Sequence, residues 1–126
     1  MSILEIEEFE RAARDDPEFT REIRYFDGQI ELTAGAETYV LAITEGALVQ
    51  AHAGTADPSK RRITVGGPPE LWEAMLEDKP KPFHHSLQSC AVKHGLLISD
   101  NNETYAYLPA LNRMMSILRA VHNQES

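Results

Sequence analysis

One cysteine, Cys90, is all that the 126 residues contain. No internal disulfide can close, and a reducing compartment is the expected setting. Basic residues are the second scarcity: 12 Lys and Arg stand against 20 Asp and Glu, a formal net charge of -8. Phosphate backbones and anionic membrane surfaces are held by neutralisation with cations, so neither is an expected partner. No run approaches the roughly 18 apolar residues of a membrane span, and Leu4-Glu5-Ile6-Glu7-Glu8 puts acids where a secretory signal needs basic side chains. The expectation is a cytoplasmic protein without an integral membrane span. Repeats, low-complexity tracts and interdomain linkers are also missing. With 42% apolar and 25% charged residues, the composition predicts one globular domain over 1–126 with a single core. Within it, 1–26 forms a helical segment and 27–126 a sheet with helices.

What is present is periodicity. Leu4 or Ile6, Phe9 and Ala13 recur at helical spacing among Glu5, Glu7, Glu8 and Arg11. Asp16-Pro17-Glu18 then opens a second helix, with Asp16 as N-cap, Pro17 at the first helical position and an acid favoured by the helix dipole. Phe19, Ile23 and Phe26 are its buried face, and Asp27-Gly28 ends it. From Gln29 the period becomes two. Ile30, Leu32 and Ala34 alternate with Glu31 and Thr33; Tyr39, Leu41 and Ile43 alternate with Val40 and Ala42; Glu45-Gly46 turns into a third strand over Ala47 to Ala53. Three antiparallel strands are the simplest account. The 54–59 loop precedes a fourth strand, Lys60 to Val65.

The stretch from Ile63 to Ile98 organises the rest. Prolines Pro68 and Pro69 open a helix whose apolar face is Leu71, Trp72, Met75 and Leu76. Lys79-Pro80-Lys81-Pro82 interrupts it. Phe83, Leu87, Cys90 and Ala91 resume helical spacing until Gly95, which suits a left-handed cap, and Leu96-Leu97-Ile98 reads as a short buried strand. After a turn at Asp100-Asn101-Asn102, Leu108, Leu111, Met115 and Leu118, widened by Met114, Ile117 and Val121, form a broad stripe that Pro109 either starts or kinks. These faces are too apolar for water. They cover their own sheet, or they also cover a ligand.

The phrases Asp27-Gly28, Ile63-Thr64-Val65 before Leu71-Trp72-Glu73-Ala74-Met75, Gly95-Leu96-Leu97-Ile98-Ser99-Asp100 and Tyr107-Leu108-Pro109-Ala110-Leu111, in this order of elements, resemble the sterol carrier protein (non-specific lipid-transfer) superfamily from about Asp16 to Ala120. The resemblance implies an α+β fold, a mainly antiparallel sheet of about five strands with helices on one face, and an apolar tunnel between them. By position, its lining would come from Leu71, Trp72, Met75, Leu76, Phe83, Leu87, Leu111, Met114, Met115 and Leu118. It implies a non-catalytic carrier of an acyl chain, lipid or sterol-like molecule. The chain departs from the superfamily pattern in its added segment before Asp16, and it ends Asn123-Gln124-Glu125-Ser126, without the peroxisomal Ser-Lys-Leu ending that several eukaryotic members carry. The alternative is a protein-docking or dimerising module with a filled core and an exposed apolar strip.

Side chains with chemical potential point elsewhere on inspection. His84-His85 diverge by about 100° on a helix and lack a chelating partner at i+4, which disfavours a metal. Cys90 shares an apolar face, where a thiol is inert, although His94 stands four residues on. Lys60-Arg61-Arg62 suits a solvated strand edge better than a phosphate site. Gly66-Gly67 lacks a phosphate-loop lysine, and Asn102-Glu103-Thr104 without a secretory route is a chance acceptor sequence. No cofactor, no metal and no enzymatic activity are expected.

Overall fold

The computed structural model describes residues 4–57, 62–77, 79, 87, 90–91, 95–99 and 102–124. Its elements run α1 (Ile6–Asp15), α2 (Pro17–Ile23), β1 (Gly28–Ala34), β2 (Glu37–Thr44), β3 (Ala47–Ala53), β4 (Arg62–Gly67), α3 (Pro69–Met75), β5 (Leu97–Ile98), α4 (Asn102–Ala106) and α5 (Leu108–Gln124). The strands form one sheet in the order β3-β2-β1-β4-β5. Three of its four pairings are antiparallel, and β1 and β4 run parallel. The α+β fold with a mostly antiparallel five-stranded sheet is as expected.

Alternation decides which sheet face is covered. Ile30 pairs with Leu41, Leu32 with Tyr39, and Ile30 and Leu32 with Ile63 and Val65 on the other side. All six are buried in one core with Phe9, Phe19, Phe26 and the apolar sides of α3 and α5.

The helices begin and end for local reasons. Asp16 caps α2 as expected: its Oδ2 accepts from the Phe19 N–H at 2.7 Å, and Pro17 takes the first turn. That helix stops at Ile23 rather than at Asp27-Gly28. The Phe26 N–H reaches back to Ile23 O (2.9 Å), and the Phe26 carbonyl accepts from Gly46 N–H (2.8 Å), so the β2–β3 hairpin claims the backbone that a longer helix would use. Glu45 and Gly46 both have positive φ, 50° and 80°, which is the type I′ geometry that matches strand twist. A Cβ on Gly46 would sit 1.9 Å from the Arg24 carbonyl oxygen. Gly46→Ala should therefore cost at least about 2 kcal/mol, read as a lower urea midpoint with an unchanged m-value.

The segment before Asp16 covers a sheet edge. Glu10 accepts from Ala51 N–H at 3.0 Å, and Arg14 donates through Nε to Leu48 O at 3.2 Å and through Nη2 to Val49 O. Side chains of α1 thus satisfy backbone groups that edge strand β3 would otherwise offer to another chain. Phe9 and Ala13 are buried beneath it, with Leu4 just ahead of the helix.

Two expectations are corrected near the other edge. Leu96-Leu97-Ile98 is not wholly buried: β5 is a two-residue edge strand, so successive side chains point to opposite sides, and Leu97 is 72% exposed beside a buried Leu96. Asn102 opens α4 rather than closing a turn. Pro109 falls in the first turn of α5, so it starts that helix and does not kink it.

Candidate functional site

Helix α3 follows β4 directly, with Pro69 in its first turn and Pro68 as the extended residue before it. That brings Leu71, Trp72, Met75 and Leu76 over the sheet, all buried. Trp72 is 0% exposed, and its indole Nε1–H donates to Thr33 O in β1 at 2.8 Å. A buried indole needs such a partner, and this one pins α3 to the central strand.

Helix α5 supplies Leu111, Met114, Met115 and Leu118 from the same side. Leu87 joins them, fully buried, with Cys90; both have helical backbone. The Leu87 N–H donates to Asn112 Oδ1 at 2.9 Å. Nine of the ten expected lining residues therefore lie in one continuous apolar core between sheet and helices. The tenth, Phe83, lies outside the described residues, as do His84, His85 and His94.

Polar residues that periodicity passed over hold this layer together. The last carbonyls of a helix have no partner within it. At the end of α3, Arg119 Nε donates to Met75 O at 2.8 Å, and Asn123 Nδ2 donates to Leu76 O at 2.9 Å. Burial pushes the Arg119 pKa below its ordinary value. Asn112, Ser116, Arg119 and Asn123 are spaced four, three and four apart, one polar stripe along α5. That stripe was visible in the sequence as a pattern, although its partners were not.

A second long-range clamp fixes α5 against α2. Arg113 grips Asp16 with two donors, Nε to Oδ2 at 3.0 Å and Nη2 to Oδ1 at 2.6 Å, across 97 residues of sequence. The Arg113 guanidinium, with help from the Phe19 N–H, holds the Asp16 carboxyl below the usual carboxylate range against the opposing effect of burial.

The buried Cys90 thiol is chemically quiet. Burial pushes its pKa up, leaving it protonated and poorly nucleophilic at neutral pH.

No protein-family model matches the chain, and no curated protein matches it. Solved structures do. A crystal structure of sterol carrier protein 2 superposes with a TM-score of 0.69 at 15% identity, covering 90% of this chain and 92% of that one. A solution structure of a conserved hypothetical protein from Thermus thermophilus, described as possibly a sterol carrier protein, gives 0.65, also at 15% identity, over 90% and 83%. The chain has the sterol carrier protein fold. Helix α1 is built into the core through Phe9 and Ala13. Among the described residues, no helix is long and apolar enough to cross a membrane.

Proposed function

We propose that this protein is a non-catalytic binding or carrier protein for an apolar molecule, of the fatty acyl, lipid or sterol-like class, taken up between the sheet and the helices. The observation that carries this reading is the convergence of Leu71, Trp72, Leu76, Leu87, Leu111 and Leu118 on one apolar layer that also includes Met75, Met114 and Met115. Thioether side chains are flexible and polarizable, so such a layer re-packs around guests of different shape. The sterol carrier protein fold supports the reading, and the raised thiol pKa of Cys90 speaks against covalent chemistry in the layer.

The energetics are adequate. A saturated chain of about 16 carbons releases on the order of 13 kcal/mol on burial, and an ordering cost of about 5 kcal/mol leaves roughly micromolar affinity. Native mass spectrometry of the purified protein should find co-extracted lipid, and Trp72 emission should change on adding palmitate. Neither lipid nor an emission change across fatty acids, phospholipids and sterols would overturn the proposal.

A protein-docking role is the second reading, and a different observation favours it. Leu97 and Tyr105 are 72% and 63% exposed beside an apolar hollow of about 300 Å³ that Leu96, Ile98 and Leu108 also line. Sedimentation velocity at rising concentration separates the two: self-association abolished by Leu97→Glu supports docking, and a monomer at all concentrations removes dimerisation.

A further inference from the structure

Between β5 and the start of α5, members of the apolar layer meet an open hollow. It has a volume of about 300 Å³ and is lined by Ala91, Leu96, Leu97, Ile98, Tyr105 and Leu108 among others. Leu96 belongs to the core, and Ala91, Ile98 and Leu108 pack against it, so the same side chains line the hollow and border the layer. Two other cavities lead nowhere comparable. A groove of about 580 Å³ along Val40, Ala42 and His52 lies on the opposite face of the sheet, because these positions alternate with Leu41 in the core. A pocket of about 140 Å³ beside Ala13 and Phe19 is spanned by two of its own lining residues, Arg14 and Leu48, through the Arg14 Nε–H to Leu48 O bond.

The described lining of the 300 Å³ hollow carries no charged side chain. Its two aliphatic hydroxyls already have partners: Ser99 Oγ accepts from Thr64 N–H at 3.1 Å and shares a hydrogen with Thr104 Oγ1 at 2.7 Å. Such a surface receives hydrocarbon and offers a charged group nothing to offset its desolvation. Beyond it, Leu108 opens α5, and Leu111, Met114, Met115 and Leu118 continue along the buried side. Ten residues of helix rise about 15 Å, which carries the stripe from the hollow towards Met75, whose carbonyl Arg119 holds. Seams elsewhere in the layer are pinned by polar bonds: α3 to β1 through Trp72, α3 to α5 through Arg119 and Asn123, and α2 to α5 through Arg113.

Building on the carrier reading, we infer that this hollow is the mouth of the apolar layer and that a single-chain amphiphile enters it tail-first. Its chain lies along α5 with the methyl end near Met75 and Leu118, and its polar end stays at the surface beside Leu97 and Tyr105.

Stearate bearing a nitroxide beside its carboxylate, and stearate bearing one near its methyl end, test this by paramagnetic loss of backbone amide signals in NMR, with unlabelled stearate as the reference. The first label should weaken the signals of Leu97 and Tyr105 most, and the second those of Met75 and Leu118. The reverse pattern, losses centred on Met75 and Leu118 with both labels, or losses confined to Leu97 and Tyr105 with both would each overturn the tail-first mouth. The first two of these would leave the carrier reading standing. No loss with either label, together with no response to unlabelled stearate, would remove the carrier reading and the mouth with it.

Discussion

Replacing Trp72 with alanine should lower the free energy of unfolding by about 3–5 kcal/mol, the range for deleting a large buried aromatic. Two losses combine. The cavity left between α3 and β1 strips packing from Leu71, Met75 and the sheet, and the Thr33 carbonyl loses the indole donor at 2.8 Å. Trp72→Phe separates them, since it keeps most of the volume and removes the donor; about 1–2 kcal/mol is expected there. With whole-domain stability typically about 5–15 kcal/mol, the alanine variant should show a sharply lower urea midpoint. An alanine variant within about 1 kcal/mol of the parent would mean that α3 is not held as described.

Loss of Asp16 should be the other large effect, because one carboxylate caps α2 and joins α2 to α5. Asp16→Ala should cost about 2–3 kcal/mol: roughly 1 for the cap and the rest for leaving Arg113 without its two-point partner. The side chain of Asp16 is only 12% exposed, which limits solvent screening, whereas Arg113 is about one-third exposed. Asp16→Asn retains a capping oxygen and loses the charge, so it should fall between.

The same pair predicts a pH dependence. The carboxyl pKa is lower folded than unfolded, so the unfolded chain binds the proton more readily, and acid favours unfolding. The stabilisation is complete above the unfolded value, near pH 4. It is lost as pH falls through the lower folded value. The stability gap between parent and Asp16→Asn should hold from pH 7 to about 5 and close below about 4. A gap that widens in acid would reverse the assignment.

Trp72 and Asp16 differ in how much of their role was legible. That Trp72 would be buried follows from its place in a helical stripe with Met75 and Leu76, and that Asp16 would cap a helix follows from the proline behind it. The convergence of Leu71, Leu87, Leu111, Met115 and Leu118 on one layer was expected from resemblance and stripe width. What stayed hidden was every partner that is distant in sequence: Thr33 for the indole, Arg113 for Asp16, Met75 O for Arg119.

By itself, the sequence determined the start of α2 with its Asp16 cap, the inward faces of β1 and β2 and the Glu45-Gly46 turn, because these depend on neighbours within about four residues, where side-chain spacing and φ preferences act directly. The tertiary structure alone decided that β4 lies parallel to β1, that α1 shields the β3 edge through Glu10 and Arg14, and that the polar stripe of α5 closes the end of α3. Those arrangements depend on which buried donors and carbonyls come within hydrogen-bond reach after collapse. A one-dimensional pattern shows that such a group needs a partner, and only packing chooses which.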